Sequence, residues 1–128
     1  MVKSIRILVV DDHPMFRESL STIIDSQKGM KVVAQADNGL SAIRQTQKHK
    51  PDIIIMDIRM PDMDGINATR RIKSEFPAVR IIALSSYSDD IYIEKMLEAG
   101  ASDYLNKICR RDDLLACIKQ VWAEAPPG

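Results

Sequence analysis

Asp52-Ile53-Ile54-Ile55-Met56-Asp57 sets an unbroken apolar run between two acids, directly after Lys50-Pro51. A continuous run of this length, without polar alternation, predicts a strand covered on both faces, as in a parallel sheet. Related stretches rich in Ile and Val recur at Ile5 to Val10, Lys31 to Ala36, Arg80 to Leu84 and Ser102 to Leu105. Together with Asp52 to Met56 they make five expected strands.

The segments between them carry helical spacing. After Pro14, a residue suited to a first helical turn, Phe16, Leu20, Ile23 and Ile24 fall on one stripe. Leu40 and Ile43 begin a second stripe, stopped at Lys50-Pro51 because a residue before proline is pushed away from helical angles. A third helix opens at Gly65, carries Ala68 and Ile72 and closes at Pro77; a fourth runs from about Ser88 to Ala99 with Ile93, Met96 and Leu97, and Gly100 stands where a left-handed cap belongs. The fifth follows Asp112 and carries Leu114, Ile118, Val121 and Trp122. Strand and helix alternating in this way predict an α/β fold, a doubly wound five-stranded parallel sheet with five helices, for which strand order 2-1-3-4-5 is favoured.

Composition bounds the rest. At 128 residues the chain suits one domain, expected over residues 1–123, with 124–128 reading as the start of a linker to an effector domain outside this sequence. Eighteen Lys and Arg balance eighteen Asp and Glu, and the basic residues are scattered, so direct nucleic-acid binding by this segment is not expected. No apolar run approaches the roughly 20 residues that span a bilayer, and no signal peptide is legible, so no membrane partner and a cytoplasmic location are expected. Cys109 and Cys117 lack a metal or redox spacing and read as ordinary reduced thiols.

In an open parallel sheet the ligand site lies beyond the carboxyl ends of the strands, where strand order reverses. Strand one ends in Asp11-Asp12, strand three in Asp57, strand four in Ser85 and strand five in Lys107. Acids gathered at one rim repel one another unless a cation sits among them, and Mg2+ suits a few carboxylate oxygens and a phosphate oxygen. Asp57 then reads as a nucleophile toward phosphorus, with Lys107 and the metal offsetting charge on the phosphoryl oxygens and the Ser85 hydroxyl donating to one of them.

The words ILVVDDHP, DIIIMDIRMPDMDG, IIALSS and GASDYLNK, in this order and spacing, resemble the receiver domain of two-component response regulators, from about Ile5 to Trp122. DDHP, serine at position 85 and Ile108 after Lys107 most resemble the NarL/FixJ (LuxR-type) group. The resemblance implies a flavodoxin-like receiver fold and a phosphorylation-dependent signalling switch. Asp57 would be the phosphoacceptor, Asp12 and Asp57 direct metal ligands with Asp11 helping through water, and the Arg59 carbonyl a further ligand. Ser85 and Lys107 would contact the phosphoryl group, and Ser85 and Tyr104 would form the switch pair. It implies a sensor histidine kinase as phosphodonor, a C-terminal helix-turn-helix effector domain and a homodimer formed on phosphorylation. It also implies a phosphoacceptor that assists its own phosphoryl transfer and dephosphorylation, not an enzyme. Arg59 and Tyr87, each two residues beyond a site residue, are expected to tune the dephosphorylation rate by shaping water access to the acyl phosphate.

Simpler readings stand beside these. Asp11 and Asp12 could cap the first helix, Ser86 competes with Ser85, and Tyr104 could be a static core aromatic. His13 reads as peripheral at the mouth of the loop, and Trp122 suits core packing and an interface equally. A flavin-binding domain of this fold class would want Gly, Ser or Thr, not acids, after strand one. A haloacid-dehalogenase-like phosphatase would carry its nucleophile there in a DxD pattern. A cis bond before Ile108, without proline, would cost about 2.5–4 kcal/mol, so a trans bond is expected.

Overall fold

The computed structural model describes residues 4–86 and 90–124. Its elements run β1 (Ile5–Val10), α1 (Pro14–Asp25), β2 (Met30–Ala36), α2 (Gly39–His49), β3 (Ile53–Asp57), α3 (Gly65–Glu75), β4 (Arg80–Ser85), α4 (Asp90–Ala99), β5 (Asp103–Asn106) and α5 (Arg111–Ala123). The strands form one parallel sheet in the order β2-β1-β3-β4-β5. Tyr87, the start of the fourth helix near Ser88, and residues 125–128 of the expected linker lie outside the described residues.

Strand geometry sends successive side chains to opposite faces, and the buried residues sort accordingly. Leu8, Val10, Ile54, Met56, Ile81 and Ala83 pack with residues of α2, α3 and α4. Ile7, Val9, Ile53, Ile55, Ile82 and Leu84 pack with Leu20 and Ile24 of α1 and Leu114, Ile118 and Val121 of α5. All five residues of β3 are buried, as a doubly covered central strand requires. The edge strands differ: β5 has no fully buried residue, because only one neighbour and part of one face cover it.

Two apolar residues do not lie where their stripes placed them. Leu40 is exposed because the buried face of α2 is formed by Gly39, Ala42, Ile43 and Thr46. Leu97 is exposed too; Met96, one residue and about 100° earlier on the helix, takes the core position of α4. The ends of several elements shift by a residue or two, as terminal turns commonly do. One shift matters: β3 extends to include Asp57, so the acid is fixed by the sheet ladder.

Candidate functional site

The sheet register assembles the carboxyl edge. Val10 pairs with Met56, so the residues that follow, Asp11 and Asp57, come side by side. Asp57 pairs with Leu84, which places Ser85 one step beyond it; Ser85 pairs with Asn106, and Lys107 comes next. The Lys107 amide donates to the Ser85 carbonyl at 2.8 Å, extending the ladder past the strand end. Alternation puts Asp57 on the face of Ile53 and Ile55, and Asp11 on that of Ile7 and Val9, so both acids turn toward the α1 and α5 side.

There the Lys107 ammonium lies between them, 2.8 Å from Asp11 Oδ2 and 3.1 Å from Asp57 Oδ2. The contact with Asp57 is a hydrogen bond, whereas that with Asp11 has the length of one without its alignment. The Phe16 ring lies 5.1 Å from the same ammonium, an aromatic face that confines the lysine on its remaining side. Burial pulls the Lys107 ammonium toward deprotonation, but pairing with Asp11 and Asp57 outweighs it and holds the group above its ordinary range. Burial, then the charge of Asp11, raises Asp57 from 3.8 to about 7 despite the opposing pull of Lys107.

The loop between β1 and α1 is not held as a capped helix start. His13 occupies the cap position of α1 without a side-chain cap bond, and Pro14 begins the helix. Asp11 Oδ1 accepts the His13 amide at 2.8 Å, while the Arg17 guanidinium donates to the Asp11 carbonyl at 2.8 Å. Helix capping by Asp11 and Asp12 is thus set aside. Asp11 Oδ2 is offset by the Lys107 ammonium, but Asp12 Oδ1 is buried without a hydrogen-bond partner, a position for a carboxylate oxygen that a cation would relieve. Asp11, Asp12, His13 and Asp57 offer ligand atoms all within 4.8 Å of one another and could hold a metal ion.

Ser85 is buried, and its hydroxyl donates to the Leu105 carbonyl at 3.3 Å. Tyr104 is 47% exposed, which removes the reading of its ring as a static core aromatic. The Arg59 guanidinium stacks 5.4 Å from the Tyr92 ring, joining the loop after β3 to α4. No peptide bond among the described residues is cis, so Lys107-Ile108 is trans as expected. Cys109 and Cys117 are free thiols. Trp122 is 43% exposed, and its ring lies 4.8 Å from the Arg80 guanidinium.

Sequence reasoning brought Asp11, Asp12, Asp57, Ser85 and Lys107 to one edge, and the structure puts them there. It did not find Phe16 or Arg17 beside them, and it set His13 aside. Adjacency to the acids was the one available signal for His13, whereas Phe16 reads as one more apolar residue of the α1 stripe.

A doubly wound parallel sheet whose carboxyl edge gathers three acids, an ammonium and a buried hydroxyl defines the class of α/β proteins that bind at the strand-order switch point. Within that class the chain belongs to the response regulator receiver domain family, whose model matches residues 7–119. It is 38% identical over 117 residues to the transcriptional regulatory protein DegU of Brevibacillus brevis, a match covering 91% of this chain and 50% of that protein. The chain thus spans about half the length of the curated relatives it matches. A two-component response regulator of the LuxR family from Aurantimonas sp. SI85-9A1 superposes with TM-score 0.90 and 35% identity, over 97% of this chain and 89% of that one. A chain of the CheX-CheY-BeF3-Mg+2 complex of Borrelia burgdorferi superposes with TM-score 0.87 and 27% identity, over 95% and 92%. No helix among the described residues is long and apolar enough to cross a membrane.

Proposed function

We propose that this domain accepts a phosphoryl group from the phosphohistidine of a sensor histidine kinase onto Asp57 and signals its presence by a change of surface. The observation that carries this reading is the Lys107 ammonium bridging Asp11 and Asp57 at the carboxyl edge of the sheet. An Asp57 oxygen attacks phosphorus, the P–N bond to the donor imidazole breaks, and the acyl phosphate forms. Lys107 then pairs with a phosphoryl oxygen, and the Ser85 hydroxyl leaves the Leu105 carbonyl to donate to another.

Asp11, Asp12 and Asp57, with the Arg59 carbonyl, would hold Mg2+; the buried Asp12 Oδ1, which lacks a hydrogen-bond partner, fits such an ion. When bound, the ion supplies positive charge against the phosphoryl oxygens. The Borrelia complex, which contains BeF3 and Mg+2 together, supports this assignment. The exposed Tyr104 ring is the resting partner of the switch, turning inward as Ser85 moves. The chain is a phosphoacceptor that assists its own phosphorylation and dephosphorylation, not a turnover enzyme. In the whole protein it acts in the cytoplasm and controls a C-terminal helix-turn-helix domain across a linker beginning near Glu124, with homodimerisation on phosphorylation. Its likeness to a transcriptional regulatory protein over half of that protein's length supports this output.

Acetyl phosphate with Mg2+ is expected to add one phosphoryl group, seen by intact mass, and Asp57→Asn to abolish it. Label on any other residue overturns the assignment.

A further inference from the structure

We infer that His13 is a direct ligand of the divalent ion at this edge, and that its imidazole gives the site a preference for nitrogen-loving transition ions over Mg2+. The inference rests on the reading that the acids hold such an ion, and adds a residue to it.

His13 Nδ1 lies 3.1 Å from Asp11 Oδ1 and 3.2 Å from Asp12 Oδ1. Neighbouring ligands of an octahedral ion with bonds of about 2.1 Å stand about 3.0 Å apart, so the nitrogen and the two oxygens are spaced as three ligands of one ion. The same cluster contains Asp57, within the 4.8 Å that encloses all its ligand atoms. Two independent features direct these groups inward. Asp11 is fully buried, its Oδ2 paired with Lys107 and its Oδ1 turned to the imidazole, and Asp12 Oδ1 is buried without a hydrogen-bond partner.

The backbone holds the imidazole in place. The His13 amide donates to Asp11 Oδ1, and Pro14 fixes the chain at the start of α1, so the ring folds back over the acids it follows. The ring itself is 68% exposed and makes no cap bond; its one side-chain hydrogen bond, Nδ1 with Asp11 Oδ1, lies at the acids. Aspartates alone make a hard oxygen site suited to Mg2+; a neutral imidazole beside them favours ions such as Co2+ and Ni2+.

The test uses chelator-stripped protein without phosphodonor. Calorimetric titration with Mg2+ and with Co2+ gives the ratio of the two affinities, and pulsed EPR of bound Mn2+ reports a directly coordinated nitrogen. Wild-type protein should show the nitrogen coupling; His13→Ala and His13→Gln should lose it. In both variants the preference for Co2+ over Mg2+ should fall by about tenfold or more. Because the exposed His13 ring gives up only its bond to Asp11 Oδ1, whose other donor is the His13 amide, both variants should stay folded with thermal stability close to wild type. An unchanged ratio, or a nitrogen signal that persists in His13→Ala and so comes from His49, overturns the inference while leaving the acidic site intact. So does tighter Mg2+ binding by His13→Ala, since the imidazole would then be a competitor of the ion. If neither ion binds the wild-type protein, the divalent-ion reading of the edge fails as well.

Discussion

Asp57 is held where its charge is costly. Its carboxyl titrates near 7 in the fold, against 3.8 ordinarily, so the folded protein binds more protons than the unfolded chain between those values. Stability without metal therefore falls as pH rises from about 4 to 7 on account of this residue, and the cost is fully present above 7. Asp57→Asn should be indistinguishable from wild type below pH 4 and more stable by on the order of 2–4 kcal/mol at pH 8 in chelator, by urea unfolding. Mg2+ should narrow that gap by stabilising only the wild type. An equal gap at both pH values would mean that Asp57 is not strained by its charge. The cysteines respond to the same burial. Cys117 is pushed up to about 12, by burial first and then by the nearby Asp103 carboxylate, and Cys109 is raised by burial and Asp113. In native protein at pH 8, iodoacetamide should modify half-buried Cys109 slowly and leave Cys117 intact until denaturant is added, as followed by mass; rapid double labelling would contradict this.

Between residue and fold stands the loop from β3 to α3, which directly follows the acceptor. The Gly65 amide donates to the Ile58 carbonyl at 2.8 Å, and Asp64 caps α3 by accepting the Asn67 amide at 2.9 Å. A methyl group at Gly65 would collide with the Asp57 carbonyl and press on Ile58, so the helix can start there only because glycine leaves that space empty. Gly65→Ala should cost about 1–3 kcal/mol in urea unfolding. It should also slow acetyl phosphate labelling of Asp57, because the backbone that must yield belongs to the acceptor. Loss of stability with an unchanged labelling rate would show that the loop shifts without disturbing Asp57.

Across the whole molecule, the end of the sheet opposite the acids is closed by a buried cation. Arg80, at the start of β4, donates to the Trp122 and Glu124 carbonyls at 2.9 Å each and lies over the Trp122 ring. It caps the C-terminus of α5, where carbonyls have no partner within the helix. Arg80→Met should destabilise by about 1–3 kcal/mol and change the emission of the single tryptophan, since two carbonyls lose their donor and the ring its stacked cation. Unchanged stability and emission would mean that α5 holds its end without the arginine.

Residue order alone was enough for the alternation of strands and helices, for the doubly covered β3 and for the identity of the polar groups that follow four strand ends. These are local properties: apolar periodicity reports which residues must be buried, and the rule for parallel sheets places whatever comes next at one edge. Asp11, Asp12, Asp57, Ser85 and Lys107 were legible for that reason. It took the folded chain to show that Lys107 bridges Asp11 and Asp57, that Tyr104 faces outward, that Leu40 and Leu97 miss the core, that His13 turns back onto the acids and that Arg80 clamps α5. Those outcomes depend on sheet register, on rotamers and on groups tens of residues apart arriving within about 3 Å of one another, to which the pattern of a single strand or helix is blind.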